Sequence, residues 1–477
     1  MPHTPFFAPW RAQLHRRRRL QTTLARLRRC TLDQIEERLG HFFSGLAALD
    51  HAQASARERP YSVRRTFWCF LWQMLQVNAS CREVVRQLQA MLLLEDSPGV
   101  ADSTGGYCLA RARLPEPLLA KALSASAQAA EQRVASGALQ GRVVKIADGS
   151  TLTLPDTEEN RQDYPQPTSQ KPGCGFPLLH LVVIASARSG AVLAHAQGDY
   201  HHGEMRLVHR LLPTLAPDDI LIYDRAAGHY VACALLRAHQ ADLISRVSIR
   251  QIDWRRGQRL GQNERLVRWQ KSRQRSAYLT AEEWAALPEE IAVRVIRVRI
   301  EQKGFRPREI ALVTTLLDAR AFPAAEIAQA YLRRWRLEMG LDDLKTTLGL
   351  DALRCQSPAM IHRELLVLLI AHNLVRAIMA EAARIHDVPL ERLSFKGTLD
   401  TLRHFCAAIA QAQRAAQRRR LWSEMLRVIA ADQVPWRPDR WEPRAVKRRP
   451  KAYPKLNRPR HQYQETRHGS RYRRNKT

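Results

Sequence analysis

Apolar and polar positions alternate along the chain in blocks of two different periods. Phe67, Trp68, Phe70, Leu71, Trp72, Met74 and Leu75 form a strongly apolar helical run. Ser80-x-x-Glu83 reads as a capping box that opens a further helix through Val84, Val85 and Leu88, and Thr31-x-x-Gln34 is an earlier box of the same kind. Residues 31–135 therefore read as an all-helical domain. From Val143 the period shortens. Val143 to Leu152 is a β-branched run interrupted by Asp148, and Leu178 to Ala185 and Ala191 to Ala196 are two more strands joined by the hairpin-like turn Ala187-Arg188-Ser189-Gly190. A helix over Glu204 to Leu215 precedes the short apolar strand Asp219 to Arg225, which contains Asp224; a helix over His229 to Ala238 and a strand over Asp242 to Val247 follow.

The order β-β-β-α-β-α-β over 140–248 is that of a ribonuclease-H-like α/β core, in which the first and fourth strands are neighbours. About ninety residues then pass before the next strongly patterned helix, too many for an unstructured loop, so 249–318 reads as an inserted, β-rich domain. Its end alternates as Val293-Arg294-Val295-Ile296-Arg297-Val298-Arg299-Ile300, with a turn at Gly304 and another strand from Glu309 to Thr315. A ribbon with arginines on one face would track phosphates, and an ordinary two-faced surface strand shows the same alternation. In 319–385 the core resumes. There Leu337, Leu341, Leu344 and Leu348 repeat at spacings of four, three and four, one stripe of a helix facing a core. Beside it Tyr331, Arg334, Glu338 and Lys345 fall within an arc of roughly 60° at 100° per residue. That face combines an aromatic, two cations and a carboxylate, and a solvated ion-pair stripe on a surface helix would look alike. Helices over Arg363 to Ala382 and Leu399 to Ala416 lead through 386–434 to a Pro-, Arg- and Tyr-rich tail, 435–477, whose composition cannot bury a core.

Charge changes the picture next. The formal net charge is +30 at pH 7 over 477 residues, a field that draws polyanions, so nucleic acid is the expected partner. Arg16 to Arg19 with Arg26, Arg28 and Arg29 make residues 1–30 a basic arm. Ser103 to Pro115 reads as a small-residue turn and a short basic helix resembling a recognition helix, with Arg111 and Arg113 as DNA contacts. No stretch offers the 18 to 20 uninterrupted apolar residues of a membrane span and no signal-peptide pattern is seen, so a cytoplasmic protein, in bacteria one associated with the nucleoid and not with a membrane, is expected. The eight cysteines show no CxxC spacing, which argues against a zinc site or a disulfide framework. His201 and His202 are neighbours and cannot share a helical face, so they read as surface or DNA-facing residues, with Glu204 as a candidate accessory acid.

Three acids remain to be placed together. Asp148 sits on the first strand, Asp224 at the carboxyl end of the fourth, and Glu338 on the helix after the insertion. Their carboxylates would converge in this fold, and hard divalent cations prefer such oxygen ligands, so Mg2+, with Mn2+ as a substitute, is the expected cofactor.

The segment Tyr331-Leu332-Arg333-Arg334-Trp335-Arg336-Leu337-Glu338, completed by Lys345, resembles the signature helix of the IS4-type insertion-sequence DDE transposases. Asp148-Gly149-Ser150 resembles the family's first acid motif and Asp224-Arg225 its second. Leu353 to Ser357, the His372-Asn373-Leu374 helix and the basic tail Lys447 to Arg460 extend the likeness. The resemblance implies cleavage at element ends and strand transfer into target DNA by a two-metal mechanism, with Asp148, Asp224 and Glu338 binding metal. It also implies that Tyr331, Arg334 and Lys345 hold end phosphates, with Arg225 beside them, that terminal inverted repeats and target DNA are the partners, and that a homodimer forms the synaptic complex. Family members often carry a β-rich insertion here, with a tryptophan before its last strand that stacks on a flipped base; Ile310 stands at that position, which leaves a hairpin intermediate open, and Trp254 and Trp269 are candidate substitutes. A catalytically retired DNA-binding derivative and a metal-dependent nuclease without strand transfer remain alternatives.

Overall fold

A computed structural model describes residues 39–42, 60–76, 79–94, 98–135, 137, 139–300, 308–334, 340, 342–412, 414–434 and 456–463. Among the described residues, a 3-10 turn (Gly40–Phe42) precedes the helices α1 (Val63–Leu75), α2 (Cys81–Leu94), α3 (Gly105–Ala112) and α4 (Glu116–Glu131). Ser62 caps α1 by accepting from Arg65 N, and Ser80 Oγ accepts from Glu83 N at 3.2 Å at the start of α2. The basic arm and the Thr31 capping box lie outside the described residues.

The sheet begins with β1 (Val144–Thr153), followed by the short helix α5 (Glu158–Asp163), then β2 (Leu178–Ser186) and β3 (Val192–Asp199). These three strands form an antiparallel meander whose turn ends at Gly190, with φ +73°. Helix α6 (Glu204–Leu211), strand β4 (Ile220–Tyr223), helix α7 (Tyr230–Ala238) and strand β5 (Asp242–Val247) follow. β1, β4 and β5 run parallel in that order, and every residue of the four-residue β4 is buried, as expected of a strand covered on both faces.

The insertion does not stand apart from this sheet. It contributes β6 (Gln258–Gly261), β7 (Glu264–Gln270), the short helix α8 (Ala281–Ala286), β8 (Glu290–Ile300) and β9 (Arg308–Thr314). β9 pairs antiparallel with β5, which makes one nine-stranded sheet in the order β3-β2-β1-β4-β5-β9-β8-β7-β6. The free edge of β5 is thereby covered.

Helix α9 (Ala324–Leu332) returns along one face of the sheet, and α10 (Pro358–Ile385), α11 (Phe395–Gln411) and α12 (Ala415–Ala431) follow among the described residues. α10 starts with Pro358 at its first position, where the missing N–H costs nothing. By length and composition alone it could cross a membrane, yet its apolar run is broken by His372, Asn373 and Arg376, and 89% of its most apolar stretch is buried inside the protein. Leu365, Leu369, Ile370, Leu374 and Ile378 of α10 share one core with Phe67 and Phe70 of α1, Leu119 and Ala122 of α4, and Leu179 and Leu181 of β2. The amino-terminal helices thus lean on the same central helix as the sheet does. His372 and Asn373 of α10 are structural. The Asn373 amide bonds both backbone groups of Val192 on edge strand β3, donating to the carbonyl at 2.8 Å and accepting from the N–H at 2.7 Å.

Candidate active site

The register of β1 against β4 decides the geometry of the first two acids. Val144 pairs with Ile220, Lys145 with Leu221 and Ile146 with Ile222. Carried on by two residues, that register brings Asp148 level with Asp224, and adjacent strands lie about 4.8 Å apart. Side chains alternate, so both acids share the face of Ile146 and Ile222. Those isoleucines are buried in a cluster that includes Tyr331 of α9. The two carboxylates and the amino-terminal part of the signature segment therefore meet on one side of the sheet.

Local structure holds Asp224 in place. It caps a 3-10 turn, Arg225–Ala227, accepting from Ala226 N at 2.7 Å, while its carbonyl accepts from Ser245 Oγ of β5 at 2.5 Å. Both Asp148 and Asp224 are half-buried. Arg225 is exposed beside the second acid.

Tyr331 is buried, and its hydroxyl pKa is raised mainly by that burial, against the opposing pull of Arg334 and Arg246. Asp224 is near enough to add to the rise. The Arg334 guanidinium lies 5.9 Å from the centre of the Tyr331 ring. Arg246 on β5 was not foreseen in sequence, where one arginine in an apolar strand carries no signal. Glu338, with Trp335, Leu337 and Leu341, lies outside the described residues. Lys345 falls in a π-helical turn, Asp343–Thr347, so the 100° arithmetic that aligned it with Tyr331 does not run through to it. Among the described residues no three His, Cys, Asp or Glu side chains form a metal-holding group. The pair Asp148 and Asp224 nevertheless offers the oxygen donors that a hard divalent cation takes.

Residues 139–374 match the family model described as Transposase DDE domain. The chain is 26% identical over 406 residues to the transposase InsG for insertion sequence element IS4 of Escherichia coli (strain K12), covering 83% of this chain and 88% of that one. It belongs to the IS4-type DDE transposases. A solved structure, the piggyBac transposase synaptic complex with hairpin DNA, is similar over 85% of each chain at 8% identity and a TM-score of 0.40, a likeness too low to carry an argument.

Several residues of the transposase fall elsewhere than the pattern suggested. Arg111 is buried, its guanidinium 4.9 Å from the Phe70 ring centre and 5.1 Å from that of Tyr107, so it belongs to the helical core and not to a DNA-facing surface. The apolar faces of α1 and α10 close over α3, and only Arg113 of the two arginines is exposed. Arg294 is fully buried and paired with Glu264, and it donates to Phe322 O at 2.7 Å. The ribbon arginines therefore do not share a face: Arg297 and Arg299 lie opposite Arg294, and Arg297 covers Trp254 at 4.5 Å. Trp254 and Trp269 are half-buried against the core on that side. Ile310 is buried in the cluster under α9. His202 bonds Asp199 at 2.7 Å and His201 is exposed. One part of the tail is docked: Arg460 grips Asp156 and the Gly173 carbonyl, with the guanidinium 2.7 Å from Asp156 Oδ1.

Proposed function

We propose that this transposase cuts at the ends of its insertion sequence and joins the freed 3′ ends to target DNA, using Asp148, Asp224 and Glu338 on a ribonuclease-H-like core. The observation that supports it most is the β1–β4 register, which sets Asp148 and Asp224 side by side on the face that also carries Tyr331. The strand order β3-β2-β1-β4-β5, antiparallel then parallel, is compatible with that core.

Asp148 and Asp224, with Glu338, are the groups that would hold Mg2+, or Mn2+ in its place. When bound, the metal supplies charge neutralisation for displacement at a phosphodiester. The chain's own residues orient the DNA. Arg334 and Arg246 flank the Tyr331 hydroxyl next to Asp224, so a phosphate brought to the acids meets two guanidinium groups and a phenol donor. Arg225, exposed beside Asp224, extends the cationic surface, and Lys345 is assigned to end phosphates by its place in the signature segment. Holding the scissile phosphate in line and neutralising its charge account for the rate enhancement. Two ends must be brought together, so the working form is a homodimer on paired terminal inverted repeats, in the cytoplasm and on nucleoid DNA.

The test uses Asp148→Asn, Asp224→Asn and Glu338→Gln with DNA carrying the element's termini. Each variant should bind ends as the parent does and lose cleavage with Mg2+; retained cleavage rejects the assignment. Joining of a labelled end to a plasmid separates a transposase from a nuclease or a retired binding protein.

A further inference from the structure

We infer that Glu204 is a positioning residue: with Tyr223 and Gly149 it clamps β1 to β4 on the side of the sheet opposite Asp148 and Asp224, and so sets the separation of those two carboxylates. The inference rests on the reading of Asp148 and Asp224 as the cleavage site.

Glu204 is the first residue of α6, whose Leu207, Val208 and Leu211 are buried on the second face of the sheet. The phenol of Tyr223, a residue with no solvent exposure, donates to Glu204 Oε1 at 2.5 Å. A Cβ added to Gly149 would lie 2.2 Å from Glu204 Oε1 and 2.5 Å from its Cδ. The carboxyl of Glu204 therefore occupies the space of the side chain that residue 149 lacks, and any larger residue there would expel it.

Gly149 follows Asp148 and Tyr223 precedes Asp224. Because side chains alternate, the clamp engages one neighbour of each acid from behind while the acids project to the front. The paired register ends at Ile146 and Ile222, two residues short of the acids, so ladder hydrogen bonds between β1 and β4 do not reach them. Glu204 supplies the cross-strand tie there instead.

The experiment compares full-length Tyr223→Phe, Glu204→Ala, Glu204→Gln and the double variant Glu204→Ala/Tyr223→Phe in end cleavage across a Mg2+ titration, with end binding measured alongside. A displacement of the order of 1 Å at a reacting group costs about a hundredfold in rate. Tyr223→Phe and Glu204→Ala should each slow cleavage by about tenfold to a hundredfold and raise the Mg2+ needed for half-maximal rate, with end binding unchanged. The double variant should be no slower than either single one, because both remove one tie. Glu204→Gln keeps an acceptor oxygen for Tyr223 and should recover most of what Glu204→Ala loses. If Glu204→Gln abolishes cleavage while Tyr223→Phe behaves as the parent, Glu204 acts through its charge and the clamp is wrong. Parent-like rates in both Tyr223→Phe and Glu204→Ala also overturn it. Cleavage that survives in Asp148→Asn or Asp224→Asn removes the underlying site and the clamp with it, a result readable independently of the clamp variants.

Discussion

Replacing Arg294 by alanine should be among the most damaging single changes away from the acids. Its side chain is wholly buried at the centre of β8, against a Glu264 side chain that is 12% exposed on β7. Removing the guanidinium strands that carboxylate in a low-dielectric interior, which costs about 3–5 kcal/mol. The Phe322 carbonyl also loses its donor at 2.7 Å, which adds about 1 kcal/mol. Against a total stability of about 5–15 kcal/mol for a folded domain, such a loss moves the urea midpoint far down or prevents folding. Function should suffer before the fold is lost, because Phe322 opens the turn into α9, and α9 carries Tyr331 to the acids. The assay is urea unfolding of the parent, Arg294→Ala, Arg294→Met and the paired Arg294→Met/Glu264→Leu. The paired variant removes both charges and should recover most of the loss, since well-filled apolar replacements of buried pairs are often neutral. A cost below about 1 kcal/mol for Arg294→Ala, or a paired variant no better than Arg294→Met alone, would refute the reasoning.

Acid should destabilise the transposase through His372, whose pKa burial and Arg376 push down to about 3. Unfolded, it binds a proton near pH 6.5, so its contribution is fully present above that pH and falls by about 1.4 kcal/mol per unit as pH drops toward 3. Urea midpoints at pH 7.5 and 5 should differ less in His372→Gln than in the parent; an equal difference speaks against the assignment. Arg111→Met should lower stability and spare end affinity, whereas Arg113→Ala should leave stability alone, weaken end binding and reduce the slope of log affinity against log salt by about 1. Binding isotherms at several salt concentrations check both, and the opposite ranking would restore Arg111 as a DNA contact.

Much of the architecture is readable from period alone. The strands at Val143 to Leu152, Leu178 to Ala185 and Asp242 to Val247 match β1, β2 and β5 closely, because buried β-branched runs bounded by turns have few other uses. The helix at Arg363 to Ala382 lies within α10 for the same reason in the other period. Burial of individual arginines was not readable. Arg111 and Arg294 look in sequence like any phosphate contact, and only the rings of Phe70 and Tyr107, or the carboxylate of Glu264, distant in the chain, make their burial affordable. Lys345 was aligned by an α-helical period that a π-turn interrupts, and such a turn follows from packing against other elements, which a local pattern does not contain.

By itself the sequence determined the family and the order of elements along the chain, and it singled out Asp148, Asp224 and Glu338 as candidate acids, since residue type, spacing and hydrophobic period are local properties of the chain. Tertiary structure decided three further things. It joined the insertion to the core through the pairing of β9 with β5, put the amino-terminal helices and the sheet on one shared helix, and brought Glu204 behind Asp148 and Asp224. Each depends on contacts between residues far apart in the chain, where neighbouring strands or facing helices, and not sequence spacing, set the distance.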